Sequence, residues 1–370
     1  MTTSLLIQIL RNPAGVTELN GIAWSQLINE SRTANLLGKL FWILKQNKLE
    51  KFIPQYALNH LESEFKQHQL QKNQSVWELS KVFNISQKID VPILVLKGAA
   101  YFYSDQNAGE GRTLSDIDLL VEKKNLKAME AALFANGWIS KEVDDYDEKY
   151  YREWSHEIPP LIHYKSGTVI DLHHNIFPVL RHLNPPVEPL FEHALQTEKC
   201  GTLHPHDMII HSATHLFWEG EFDNGLRDLV DIQQLLQSHV VDQENGWQEL
   251  ATRACALNLG QPLFYALRYC KAILYLPVPK ACFKLLRQEN KSAMRIPAGY
   301  GLLIMDWLFL HVLKPAHSHC ASSGDALARQ LLYWRGHLIK MPGKVLLPHL
   351  LKKTIKSLRK QEEKKLPDLN

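Results

Sequence analysis

The chain has 370 residues, 45% hydrophobic and 22% charged, the proportions of a globular protein long enough for two or three domains. A formal charge of +3 excludes the strong electrostatic footprint of a polyanion-binding protein. Five scattered cysteines (Cys200, Cys255, Cys270, Cys282, Cys320) form no CxxC pair, which argues against a disulfide framework or cysteine zinc site and fits a reducing cytoplasm.

The opening MTTSLLIQILRNPAG lacks a basic start and breaks at Pro13, so it does not read as a signal peptide. Residues 1–89 read as a helical segment. Leu27, Leu36, Leu37, Leu40, Phe41 and Leu44 recur near the spacing of one apolar helix face, and Pro54 suits the start of a further helix. The pattern then changes, and residues 90–203 read as a mixed α/β core. VPILVLKG is a short branched run between Pro92 and Gly98, and SDIDLLVEK is a second; both predict buried strands. Between them QNAGEGRT, rich in small and polar residues, predicts a flexible loop over the site. NLKAMEAALFANGW predicts a helix that stops at Asn136-Gly137. LIHYK and TVIDLHHNI predict a hairpin turning at Ser166-Gly167.

From residue 204 to 345 the helical period returns, through HDMIIHSATHLFWEG, LRDLVDIQQLLQSH, GWQELATRACALN and PLFYALRYCKAILYL. GYGLLIMDWLFLHVL is too short to span a bilayer, is interrupted by Asp306, and predicts a core helix. Residues 346–370 read as a basic helical tail, with Lys352, Lys356, Arg359 and Lys360 along one stripe and Leu351, Ile355 and Leu358 opposite. The expected fold class is therefore α+β: a small mixed sheet with helices on one face, an N-terminal helical segment and a C-terminal helical domain.

Two aspartates inside an apolar strand demand an explanation, because an unpaired buried charge costs several kcal/mol. Alternation puts Asp116 and Asp118 on one strand face and Ile117, Leu119 and Val121 on the other. Two like charges so close repel unless a cation sits between them, and hard oxygen ligands suit magnesium. Asp171 leaves the apolar face of its own strand in the same way. If the two strands are neighbours, three carboxylates converge in an arrangement able to hold two metal ions for phosphoryl or nucleotidyl transfer. His173 shares the face of Asp171. The pair His211 and His215 has helical i, i+4 spacing but no glutamate beside its first member, so it is not the metalloprotease motif.

LVLKG, then SDIDLLV, then VIDLHHN resembles the DNA polymerase beta-like nucleotidyltransferase superfamily, and more closely an uncharacterised bacterial nucleotidyltransferase branch of it. The resemblance implies a metal-dependent transfer of a nucleoside monophosphate from an NTP to a hydroxyl or similar nucleophile of a small molecule, sugar or peptide. It implies two Mg²⁺ ions, with Mn²⁺ as the substitute, on Asp116, Asp118 and Asp171, and nucleotide contacts from Lys97, Gly98, Arg112 and Ser115. Gly98 would open the helix that receives the phosphates. Where the superfamily has Gly-Ser this chain has Gly98-Ala99, so the serine hydroxyl is missing. That departure favours the alternative of an inactive member that binds nucleotide or protein as a regulator. The modest charge and lack of an aromatic-basic cluster argue against a nucleic-acid partner; no membrane span is expected, and no oligomeric state follows from the sequence.

Overall fold

A computed structural model of the chain describes residues 4–141, 148, 150–152, 154–178, 185–196, 201–341 and 346. The chain begins with helices α1 (Leu5–Arg11), α2 (Gly21–Thr33) and α3 (Leu37–Gln46), followed by the long α4 (Gln55–Lys88) with Pro54 at its N-cap. At 1.5 Å per residue α4 runs for about 50 Å. It buries Leu61, Leu79, Val82 and Ile85, so its apolar stripe serves the core along most of its length.

All seven described strands lie between residues 94 and 202: β1 (Leu94–Val95), β2 (Ile117–Leu120), β3 (Trp138–Ser140), β4 (Leu161–His163), β5 (Val169–His173), β6 (Leu195–Gln196) and β7 (Gly201–Thr202). They form one mixed sheet in the order β3-β4-β5-β2-β1-β7-β6. The hairpin expected at Ser166-Gly167 is the antiparallel pair β4–β5. Strand β2 lies between β1, antiparallel to it, and β5, parallel to it. Helix α5 (Lys97–Tyr103) follows β1 directly, and α6 (Leu126–Ala135) follows β2 and ends at Asn136 as expected. After the sheet and the short α7 (Glu188–Glu192) come α8 (Pro205–Trp218), α9 (Gly225–His239), α10 (Gly246–Ala256), α11 (Gly260–Leu274), α12 (Lys280–Glu289), α13 (Gly299–Val312) and α14 (Asp325–Lys340). One continuous apolar core joins the N-terminal helices, the sheet and the C-terminal helices. The fold is α+β, with helical parts on either side of the sheet in sequence.

Two expectations are corrected. The segment 105–114 is not a flexible loop. Lys39, itself buried, donates to the carbonyls of Asn107 (2.7 Å) and Ala108 (3.0 Å). From α4, His68 Nδ1 bonds the Arg112 carbonyl at 2.7 Å, Lys72 pairs with Asp105 and Glu110 at 2.9 Å, and Gln71 accepts from the Leu114 amide at 3.0 Å. Polar composition suggested solvent, but these polar groups are spent on buried partners. The second correction concerns α13. Only its C-terminal half is core, with Leu308, Phe309 and Val312 buried, whereas Tyr300, Leu303 and Ile304 are exposed. The helix is apolar all round, so its sequence could not distinguish its two halves. The basic tail beyond residue 346 lies outside the described residues. Among the described residues no helix is long and apolar enough to cross a membrane.

The clamp on 105–114 depends on backbone contact. Gly111 has φ +68° and presses on Gly38 so closely that an added Cβ would lie 2.3 Å from the Gly38 carbonyl carbon. Gly111→Ala combines a disfavoured dihedral with a backbone clash and should destabilise the fold by roughly 1–3 kcal/mol or more. Urea denaturation followed by circular dichroism measures this; an unchanged midpoint would refute the close packing.

Candidate active site

Strands β2 and β5 pair in parallel with Asp118 directly opposite Asp171. The register follows from burial on the other face. Ile117, Leu119, Ile170 and Leu172 are at most 1% exposed and can occupy the core only if both aspartates face the other way. Asp116 lies just before β2 and Ser115, which is exposed, precedes it; both line a cleft with Asp118.

Asp118 is buried and compensated. Its Oδ1 accepts from Lys97 Nζ and from His173 Nε2, each at 2.9 Å. Burial alone would raise its pKa, but the Lys97 ammonium and the His173 ring outweigh burial and hold the carboxyl well below the usual range. Burial likewise opposes the charge on Lys97, yet Asp118 and then Glu219 keep it protonated above the ordinary lysine range. Lys97 adopts φ +49° at the first turn of α5. A left-handed non-glycine residue costs of order 1–3 kcal/mol, and here the fold holds it where the ammonium reaches Asp118.

Asp171 is not compensated in this way. Its Oδ1 is buried without a hydrogen-bond partner among the described residues. Burial first, then the charges of Glu157, Asp118 and Asp116, push its pKa up to about 7. Glu157 is a fourth carboxylate of the cluster, 3.5 Å from His173 Nε2, and its pKa is also raised, by burial and by its acidic neighbours Glu219 and Asp118. The donor set of hard oxygens, the mutual repulsion and the orphaned Oδ1 fit a divalent cation. His173 would hold Asp118 in place beside it.

The remaining cleft walls come from α5, the 112–115 segment, α8 and α9. Gly98 sits under the Arg112 side chain, and a Cβ there would fall 2.0 Å from a guanidinium nitrogen. The space at Gly98 therefore admits Arg112, whose Nε donates to Asp231 on α9 at 2.9 Å. Arg227, also on α9, donates from Nε and Nη2 to Asp228 at 3.0 and 2.9 Å. Tyr101 and Ser212 share a hydrogen bond of 2.5 Å across the cleft, from α5 to α8. His215 pairs with Glu219 at 3.1 Å.

The sequence reading singled out Asp116, Asp118, Lys97, Gly98, Arg112 and Ser115, and all six line this one cleft. Asp171 meets them through its register with Asp118. Glu157, Arg227, Asp228, Asp231 and Ser212 join the site without having been expected from the sequence. The paired carboxylates of LRDLVDIQQ gave a signal, since Asp228 and Asp231 are three residues apart on one face of an amphipathic helix. Glu157 gave none, because its place depends on a bridge to His173 outside the named strands.

A central strand pair carrying opposed aspartates, over a cleft closed by helices α8 and α9, is an arrangement suited to metal-assisted group transfer. Compared with family models, residues 20–275 match the one described as uncharacterised nucleotidyltransferase. The chain belongs to that family, and nucleotidyl transfer to an unspecified acceptor is its class of reaction. No curated protein and no solved structure matches the chain.

Asp171 generates a pH dependence of stability. In metal-free protein it keeps its proton up to about pH 7, while the unfolded chain loses it near 3.8. The unfolded state binds fewer protons between those values, so this contribution to stability falls as pH rises through the window and is level above it. Asp171→Asn should therefore melt a few degrees higher than the wild type in EDTA at about pH 8, and nearly with it at about pH 4. Thermal melts at the two pH values check this; equal shifts at both would exclude the raised pKa.

Proposed function

We propose that this cleft transfers a nucleoside monophosphate from an NTP to a nucleophile of a small-molecule, sugar or peptide acceptor, with Asp116, Asp118 and Asp171 holding two Mg²⁺ ions. The observation that supports the reading best is the register of Asp118 with Asp171, together with the unpartnered Oδ1 of Asp171. Mn²⁺ is the substitute ion, and the core resembles the DNA polymerase beta-like superfamily. Bound metal would supply charge stabilisation at the attacking and leaving oxygens.

The chain's own residues do the rest. Lys97, Arg112 and Arg227 bring three cations to the cleft, each paired with a carboxylate: Asp118, Asp231 and Asp228. Triphosphate oxygens would exchange for these carboxylates, Arg227 and Lys97 turning toward phosphate while Asp118 turns to metal. Arg112, almost wholly buried and fixed to Asp231, orients the 112–115 segment that delivers Ser115 and Asp116. Asp171, opposite Asp118, would hold an ion and take the proton of the attacking hydroxyl as it is released. The oxygen so freed bonds to the α-phosphorus, the bond from that phosphorus to the bridging oxygen breaks, and pyrophosphate leaves. Ala99 supplies no hydroxyl, so backbone amides and Lys97 take the phosphate contacts that the superfamily serine makes.

The test is incubation with each α-labelled NTP, Mg²⁺ and a cell extract. Asp116→Ala combined with Asp118→Ala should lower label transfer by roughly 10³-fold or more, the several kcal/mol that metal-held charge supplies. Equal labelling by wild type and double variant would exclude the assignment. Arg227→Ala should raise KM for the NTP about tenfold and leave kcat within a few-fold, as expected for a lost phosphate contact. Steady-state kinetics with varied NTP separates the two constants.

A further inference from the structure

A second set of ligands stands beside the aspartates. One donor atom each from His156, Glu157 and His173 lies within 4.8 Å of the others. The three sit on two backbone segments locked together: Glu157 bridges His173, the His174 amide donates to the His156 carbonyl at 2.8 Å, and the Ile158 amide donates to the Leu172 carbonyl at 3.1 Å. The ligands are thus held before any ion arrives. Both imidazoles are more than nine-tenths buried, and each keeps an Nδ1 without a hydrogen-bond partner among the described residues. Two orphaned ring nitrogens in one buried cluster are costly unless something binds them.

We infer that His156, Glu157 and His173 form a site for one divalent transition-metal ion, distinct from the magnesium positions on the aspartates. Two imidazoles and one carboxylate are the donor set of three-ligand zinc sites that keep an open position, and of related iron sites; imidazole is a poor ligand for magnesium. His173 Nε2 stands 3.5 Å from Glu157 and 2.9 Å from Asp118, so Asp118 fixes the ring beside the proposed ligands, and Nδ1 has no hydrogen-bond partner among the described residues. Charge agrees with a cation. Asp118, Glu157, Asp171 and Glu219 act on this region against Lys97, Lys340 and the His173 ring, whose proton a bound ion would replace. The ion would lock the 155–158 segment to β5 and, through His173, set the position of Asp118. The inference does not rest on the transfer reaction; a binding protein with this site would hold the same ion.

The test uses the full chain with no affinity tag. Elemental analysis of protein purified without chelator should find about one equivalent of zinc, iron or manganese. After removal of metal, titration with Co²⁺ should give visible d–d bands that saturate near one equivalent and survive an excess of Mg²⁺. His156→Ala and Glu157→Gln should each weaken Co²⁺ binding beyond the roughly 10–100-fold that outer-sphere partners cost. Glu157→Gln is nearly isosteric and, with circular dichroism as the check, reads the site even if His156→Ala does not fold. His204→Ala combined with His206→Ala, at the separate histidine pair on α8, should bind Co²⁺ as the wild type does. Failure of the wild type to take up Zn²⁺ or Co²⁺ stoichiometrically would overturn the site. So would displacement of Co²⁺ by Mg²⁺, wild-type binding by Glu157→Gln, or loss of the ion in the His204/His206 variant.

Discussion

The site is organised by the charge of Asp118. It is buried in the middle of the sheet, where an uncompensated carboxylate would cost several kcal/mol. The fold compensates it from two directions, Lys97 at the start of α5 and His173 on β5, both at 2.9 Å. Those two requirements fix much else. Lys97 must take a left-handed backbone conformation, and β5 must pair with β2 in the register that sets Asp171 opposite Asp118. Asp171 is the consequence: a second carboxyl brought alongside the first, with one oxygen that has no hydrogen-bond partner among the described residues. One aspartate of the pair is thus satisfied by its neighbours and the other is not.

The same logic of paired charge extends across the cleft. Arg112–Asp231 links the loop before β2 to α9, and Arg227–Asp228 sits one turn away on the same helix. Partly buried ion pairs contribute little net stability when desolvation is counted, but removing one partner is expensive. A ligand that supplies its own negative charge avoids that cost by taking over the cation. The N-terminal helices enter here as well. Lys39, His68, Gln71 and Lys72 hold residues 105–114 through main-chain and side-chain bonds, so the segment leading to Asp116 is fixed by α3 and α4. The helical segment before the sheet is therefore part of what positions the site.

The sequence by itself determined the elements and the chemistry that they offer. Branched apolar runs marked β1 and β2, the Ser166-Gly167 turn marked the β4–β5 hairpin, and the period of two put Asp118 and Asp171 on the faces opposite their apolar neighbours. These are local properties, set by side-chain direction along one strand. Asp116, Asp118 and Asp171 follow from this alternation, whereas Lys97, Gly98, Arg112 and Ser115, which line the same cleft as Asp116 and Asp118, were expected from the family resemblance.

Only the tertiary structure decided which groups meet across elements. QNAGEGRT reads as an exposed loop because its residues are small and polar, yet it is buried by partners some 40 to 70 residues away in the chain. GYGLLIMDWLFLHVL reads as core because it is apolar on every side, and packing covers only half of it. Glu157 and His156 carry no local signal and join the site through a bridge to β5, while Asp228 and Asp231 join it because α9 closes the cleft. Hydrophobic period fixes which way a side chain points along its own helix or strand. Which charge it finally faces is a property of contacts between distant segments, and no single stretch of sequence contains that information.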